Sequence, residues 1–406
     1  MSVKTKRLYY DDSYLLEFES AIVDRSIVEG QPAVVLSESA FYPTSGGQPN
    51  DIGVLNGIPV VDVIAENGVV LHVVEQTVET DTVKGQIEWS RRFDHMRHHS
   101  GQHILTRAFI EVADAETVSF HLSDNSVTID LDYSELTQAQ IDSAEDLANQ
   151  IVAENRAVKV WFPESDELDA LQLRKISEKV TGAVRVVDIG GFDVTACGGT
   201  HVGRTGEIGM IKIIRTDKMK GKLTRVEFRC GDRALQDYRE KNLFLNELAA
   251  QFTTSYQQIP DIIEKLRQEN KTVGKSLSNV RRELIGYQVV ALIEATKQQV
   301  EGNFPLVVAK VFEDYASGDL QQMAAQLSQN PNTIALLGLC GDSAHLVFAR
   351  SEDVDIDVVP LLKAALSMLG TDRGGGRPQM AQGGGITATQ VQVEAAIGVA
   401  RKSIEA

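Results

Sequence analysis

Through roughly the first ninety residues, short apolar and β-branched runs are divided by polar and turn residues, the pattern of an all-β region. Leu15–Val23 and Ala33–Leu36 are predicted as strands, and Gly53–Glu75 as a meander whose turns fall at Asn56-Gly57 and Asn67-Gly68. Asn-Gly tolerates the positive φ that a type I′ turn needs at both central positions, so it suits a two-residue hairpin. A small β-barrel is the expected outcome. Inside this region, Phe41-Tyr-Pro-Thr-Ser-Gly-Gly-Gln-Pro-Asn-Asp-Ile-Gly53 has two readings. One is a surface loop. The other is a binding loop in which Gly46 and Gly47 let backbone approach a ligand closely and Thr44 and Ser45 supply hydroxyls.

The pattern then changes. Arg91–Val112 is predicted as a helix, and so is Thr137–Asn155, where Thr137 and Gln140 make a possible capping box. Strands are expected at Val127–Leu131, Val158–Phe162 and Val184–Ile189, with a shorter helix between Glu167 and Glu178. This mixture predicts an α+β domain ending near Gly231. A helix over Leu235–Phe252 follows. After it, Ile259, Ile263, Leu266, Asn270, Val273, Leu277, Val280, Leu284, Tyr287 and Ala291 recur at alternating spacings of four and three, a heptad seam. It fits either a helical hairpin within one chain or a dimer joined along the seam. The last hundred or so residues alternate between strands (Leu306–Val311, Thr333–Leu339, Ala344–Ala349) and helices (Leu320–Leu327, Val358–Met368, Ala388–Ser403). Before the last helix lies Asp372–Gly385, glycine-rich with two arginines. It reads as a flexible linker or as a cradle of backbone N–H groups for an anion, and it fits neither the P-loop nor the dinucleotide fingerprint.

The 406 residues suggest two to four domains. No signal-like apolar run follows Lys4, Lys6 and Arg7, and no apolar stretch is long enough to span a bilayer. The expectation is a soluble, cytoplasmic protein that meets no membrane. Three cysteines are too few for a disulfide framework; Cys230 and Cys340 read as small buried hydrophobes. The net charge of −17 repels nucleic acid, so any RNA contact must come from local basic patches. Lys212, Arg215, Lys218, Lys220, Lys222, Arg225 and Arg229 form one such stretch, and Arg373 and Arg377 a second.

Candidate chemistry sits in two short stretches. His99-Ser-Gly-Gln-His103 falls on the first predicted helix, where residues i and i+4 share a face. Cys197-Gly-Gly-Thr-His201 repeats the spacing with a thiol. Either pair alone is common as exposed residues. Together they offer one sulfur and three imidazoles, the donor set of zinc. Ser100 and Gly101 stand where an H-E-x-x-H protease has its glutamate and the residue after it, which disfavours that class. Four protein ligands suit a closed structural ion, whereas a catalytic ion keeps a position open; the sequence leaves this undecided. If all four bind, catalysis falls to neighbours such as Thr44 or Gln102.

Six motifs in order carry a family resemblance: Phe41-Tyr-Pro-Thr-Ser-Gly-Gly-Gln, His99-Ser-Gly-Gln-His103, Val118-Ser-Phe-His-Leu, Thr195-Ala-Cys-Gly-Gly-Thr-His-Val202, Arg225-Val-Glu-Phe228 and Gly374-Gly-Gly-Arg-Pro-Gln-Met-Ala-Gln382. Together they resemble the editing domain of alanyl-tRNA synthetases and its free-standing AlaX-type relatives, the last motif being similar to the C-terminal domain of those synthetases. The domain order resembles the long AlaX form. It implies a glycine-motif β-barrel over 1–90, a zinc-binding editing domain over 91–233, a helical hairpin or coiled coil over 234–300 and a C-terminal α/β domain over 301–406.

The resemblance implies hydrolysis of serine, with glycine a second candidate, from mischarged tRNA(Ala). It assigns Zn2+ to His99, His103, Cys197 and His201, and places Thr44 where the family has a threonine that helps select serine. Ser45, Gly46, Gly47, His121 and Thr200 stand in the same motifs and are expected around the substrate. Lys218, Lys220, Lys222, Arg225, Arg373, Gly374, Gly375, Gly376 and Arg377 are expected to meet tRNA. No class II aminoacylation domain precedes the barrel, so the chain is expected to correct charging errors without charging tRNA. The competing expectation is a zinc-stabilised tRNA-binding accessory protein without turnover. A homodimer through the seam or the C-terminal domain is a further expectation.

Overall fold

The strand-rich stretch at the start of the chain closes on itself. In the computed structural model, which describes residues 4–171, 173–174, 183–298 and 305–405, a short parallel pair, β1 (Lys6–Arg7) with β4 (Glu38–Ser39), flanks a six-stranded barrel. The barrel strands are β2 (Glu17–Val28), β3 (Gln31–Leu36), β5 (Gly53–Leu55), β6 (Ile58–Glu66), β7 (Val69–Val74) and β8 (Thr82–Ile87). They close in the order β2-β3-β7-β6-β5-β8. Asn56 and Gly57 have φ of 49° and 84°, and Asn67 and Gly68 φ of 50° and 84°, so both hairpins turn where the Asn-Gly pairs predict. Phe18, Leu36, Phe41, Leu55, Val63 and Val74 fill the interior.

Helix α1 (Trp89–Ala113) follows and is buried over much of its length. Its apolar positions Ile104, Leu105, Ala108 and Phe109 pack with Ile129, Val226 and Phe228 of an antiparallel sheet. That sheet runs in the order β14 (Ile211–Lys218), β15 (Thr224–Cys230), β10 (Val127–Leu131), β9 (Thr117–Leu122). Helix α2 (Gln138–Ala153) adds Ala144, Ala148 and Ile151 to the same core. It starts at the expected capping box: Thr137 Oγ1 accepts from Gln140 N at 3.3 Å and Gln140 Oε1 accepts from Thr137 N at 2.9 Å. A second sheet joins β11 (Val158–Trp161), β12 (Val186–Ile189) and β13 (Val194–Ala196). Helix α3 spans Ser165–Ala170; most of the rest of the helix expected over Glu167–Glu178 lies outside the described residues. Helix α4 (Gly231–Gln251) ends this compact unit, Met1–Gln251.

The second unit, Phe252–Ala406, opens with the 39-residue helix α5 (Ile259–Lys297). Its sheet contains β16 (Leu306–Phe312), β17 (Thr333–Leu339), β18 (Gly341–Arg350), β19 (Gly374–Arg377) and β20 (Met380–Ala388), in the order β16-β17-β18-β20-β19. Its helices are α6 (Ser317–Leu327), α7 (Val358–Met368) and α8 (Gln390–Glu405). β17 is buried at every position: Ile334 and Leu336 face the core shared with α7 and α8, while Ala335, Leu337 and Leu339 face the one shared with α5 and α6.

Two readings change. The segment 372–385 is neither a linker nor a loop at a helix N-terminus, because β19 and β20 pair across it, Gly374 with Gly383 and Gly376 with Ala381. A Cβ on Gly374 would lie 2.5 Å from Leu366 Cδ1 of α7, so glycine is what lets this strand pair sit against the helix. Cys340 is only partly buried. Along α5, Ile285, Val289 and Ile293 are buried, whereas the seam positions Val273, Leu277, Val280, Leu284 and Tyr287 are exposed.

Candidate metal centre and adjoining cleft

Helix periodicity sets His99 and His103 on one face of α1, with ring centroids 5.3 Å apart. The turn after β13 brings Cys197 and His201 to them. One ligand atom from each of the four residues lies within 4.8 Å of the others. Cys197 Sγ is 3.3 Å from His99 Nε2 and 3.3 Å from His201 Nε2. His103 Nε2 is buried and has no hydrogen-bond partner among the described residues. A tetrahedral zinc, with bonds of about 2.3 Å to sulfur and 2.0–2.1 Å to nitrogen, separates its donors by roughly 3.3–3.6 Å. The sulfur contacts fit that spacing, and the orphaned Nε2 of His103 is the buried polar atom a metal would satisfy.

Each histidine is steered by a second residue. Gln48 Oε1 accepts from His99 Nδ1 at 2.7 Å, and the same side chain donates from Nε2 to Thr200 Oγ1 at 2.9 Å. Asp193 Oδ2 lies 3.1 Å from His103 Nδ1 and is held in turn by Arg174, whose Nε donates to Asp193 Oδ1 at 2.7 Å. Ser100 Oγ is 3.2 Å from His201 Nδ1. Engaging Nδ1 leaves Nε2 for a metal, the usual outer-shell arrangement. Arg185 is buried and donates from Nη1 to the carbonyls of Cys197 at 2.9 Å and Gly199 at 2.8 Å, fixing the loop that carries the thiol.

Burial would raise the Cys197 thiol, but the imidazoles of His99 and His201 outweigh it and hold the group well below its usual range, as thiolate. Burial opposes a charge on His103, yet Asp193 and Cys197 lift it to about 9. His201 is pushed down to about 3, chiefly by burial. The cluster thus keeps its sulfur deprotonated, as a metal ligand must be.

A cleft of about 250 Å³ adjoins the cluster, lined by Gly46, Gln102, His103, Thr117, Ser119 and Phe120 among others. Gly47 has φ of 84°, and a Cβ there would lie 2.5 Å from the Phe120 carbonyl oxygen, so the glycine pair does permit a close approach, to β9. The Phe120 ring lies 5.3 Å from that of His99. Of the other residues singled out from sequence, Thr200 is buried against Gln48, while Ser45 and His121 are exposed. Thr44 is exposed, and its hydroxyl is taken up within its own loop, accepting from Asn50 N at 3.0 Å. Sequence reasoning missed Asp193, Arg185 and the steering role of Gln48, although Gln48 lay in a quoted motif.

The basic stretch is less free than its sequence suggests. Lys212 pairs with Glu145 at 2.6 Å, Arg215 with Glu227 at 2.8 Å, Arg225 with Asp130 at 2.7 Å and Arg229 with Asp237 at 3.2 Å. Lys218 reaches Glu135 at 3.9 Å. Lys220 and Lys222 form no ion pair among the described residues. In the second unit, Gly375, Gly376 and Arg377 line a cleft of about 830 Å³ with Arg350 and Gln382, and Arg373 and Gly374 line another of about 920 Å³ with Lys363.

Two family models match the chain, and they make it a protein that joins a synthetase-type accessory domain to a C-terminal domain. Residues 184–227 match the family described as the threonyl and alanyl tRNA synthetase second additional domain, and residues 303–406 match the DHHA1 domain. The chain is 34% identical over 395 residues to the alanyl-tRNA editing protein AlaX-L of Pyrococcus horikoshii, covering 93% of this chain and 94% of that protein. It belongs to the AlaX-L family of alanyl-tRNA editing proteins. It is also 33% identical to the alanine–tRNA ligase of Thermococcus kodakarensis and 31% identical to that of Pyrococcus furiosus, spanning 41% and 42% of those longer proteins. No helix among the described residues is long and apolar enough to cross a membrane.

Proposed function

We propose that this chain is a zinc-dependent aminoacyl-tRNA deacylase that removes serine, with glycine a second candidate, from mischarged tRNA(Ala) in the cytoplasm. The observation that carries the reading is the cluster of four donors, three buried histidines and a partly buried cysteine, beside a small cleft that His103 itself lines. His99, His103, Cys197 and His201 would hold the zinc. Bound there, zinc supplies Lewis-acid polarisation of an ester carbonyl or activation of water if one donor yields its place, and a rigid clamp if none does. Gln48, Asp193 and Ser100 orient the imidazoles. The cleft's volume suits one small aminoacyl group, as an enzyme that clears small amino acids requires. Serine exceeds alanine by only a hydroxyl, which binding alone rejects poorly, and a second hydrolytic site adds the missing selectivity.

We further propose that Lys218, Lys220, Lys222 and Arg225, and the Arg373–Arg377 strand with its three glycines, meet tRNA phosphates; Arg225 and Lys218 would exchange their carboxylate partners for them. The exposed seam of α5 supports a homodimer in solution. A second reading, a zinc-stabilised tRNA-binding accessory without turnover, draws support from a donor set already complete at four.

The test is release of amino acid from Ser-tRNA(Ala), Gly-tRNA(Ala) and Ala-tRNA(Ala) by wild type and by Cys197→Ala with folding checked. Serine-selective release that disappears in the folded variant is expected. Full zinc occupancy and tRNA binding with no release would move the protein to the accessory reading.

A further inference from the structure

Gln102 occupies an unusual place. It lies between the two metal-binding histidines of α1 in sequence, lines the cleft, and is only 6% exposed. An amide that is nearly buried must have its polar ends accounted for. One end is: Nε2 donates to Thr106 Oγ1 at 2.7 Å. Thr106 is one helical turn further along α1, fully buried, and its hydroxyl lies 2.8 Å from Thr117 Oγ1 at the start of β9. Because Thr106 Oγ1 accepts from Gln102, its own proton is free to go to Thr117. In this arrangement the N–H end of the amide lies toward Thr106 and the carbonyl end away from it. No hydrogen bond reaches Gln102 Oε1 among the described residues.

Gln102 thus brings to the cleft, beside His103, an acceptor that has no protein donor among the described residues. We infer that Gln102 is a specificity-determining residue, whose Oε1 accepts a hydrogen bond from the side-chain hydroxyl of the esterified amino acid. The inference rests on the deacylase reading above and names what distinguishes its substrate. An aminoacyl group that fills the cleft shuts water away from this acceptor, and an acceptor left unpaired there is unfavourable, so a group without a hydroxyl binds the cleft less well than one with it. This is the sense of discrimination that a site built around a hydrogen bond achieves. Thr106 acts through Gln102 and is a positioning residue.

The test compares release of serine, alanine and glycine from tRNA(Ala) by wild type, Gln102→Leu, Thr106→Val and Thr106→Ser, with zinc affinity measured on each by chelator competition. Gln102→Leu is expected to slow serine release at least tenfold while alanine and glycine release stay within about twofold and zinc affinity is retained. Thr106→Val frees the amide to turn and should give a smaller loss of the same pattern. Thr106→Ser keeps the hydroxyl and should restore it. Serine release unchanged in Gln102→Leu, or all three amino acids slowed in parallel, would overturn the inference, the latter outcome assigning Gln102 to the reaction itself or to the fold. Failure of the underlying reading is visible separately, in wild type that releases none of the three.

Discussion

Gly199 shows how tightly single residues constrain the centre. A Cβ there would stand 2.1 Å from Cε1 and 2.3 Å from Nδ1 of His99. That ring has little freedom to yield, since Gln48 holds its Nδ1 and Phe120 lies beside it. Gly199→Ala keeps all four ligands yet should push His99 out of the cluster. Disturbing the support of a ligand costs ~10–100-fold in metal affinity, and a loss of that order by chelator competition, with unchanged circular dichroism, is expected. An affinity equal to wild type would show that the loop moves instead of the ring. The four ligands were legible because two i, i+4 pairs are short-range patterns. Asp193 and Gln48 were not legible as supports, because they reach their histidines across 90 and 51 residues of chain, a separation that no local pattern encodes.

At the scale of elements, the buried ion pair of Asp51 and Arg92 ties the glycine-motif loop to α1. Arg92 is fully buried and spends its guanidinium on Asp51, on the Ser13 carbonyl at 2.7 Å and on the Ala40 carbonyl at 2.6 Å. Asp51 also accepts from Tyr42 N at 2.6 Å. Removing one partner of such a pair strands the other charge and costs about 3–5 kcal/mol. Asp51→Ala should therefore destabilise the first unit by that amount in urea unfolding followed by Trp89 and Trp161; a loss below 1 kcal/mol would mean that water reaches Arg92. Periodicity identified β10, β17 and α7 to the residue. It failed on Gly374–Arg377, since glycine contributes no hydropathy and the strand is dictated by the shape of its neighbours. It also misjudged the basic hairpin, where Asp130 and Glu145 come from elements far along the chain to meet Arg225 and Lys212.

For the molecule as a whole, pH is the informative variable. His72 is buried inside the barrel between Ser39 Oγ at 2.7 Å and the Val34 carbonyl, and burial pushes it down to about 4. His95 is fully buried with neither ring nitrogen partnered among the described residues, and burial likewise holds it at about 4. Both are neutral when folded, whereas the unfolded chain takes up their protons below pH ~6.5. Their contribution is therefore intact above about pH 6.5 and is lost as pH falls toward 4, at up to ~1.4 kcal/mol per unit for each histidine. Between pH 6 and 5, wild-type stability should fall more steeply than that of His72→Gln by about this amount. Parallel slopes would show that His72 takes up its proton in the folded state.

Gln48 sits in the loop between barrel strands, yet it serves His99 and Thr200, which come from the layer that follows. A recombination event that swapped only the barrel would pass on all four ligands and lose the residue that aims one of them. The heritable piece is then the whole block of residues 1–251, and the barrel and the ligand layer must change together over evolutionary time.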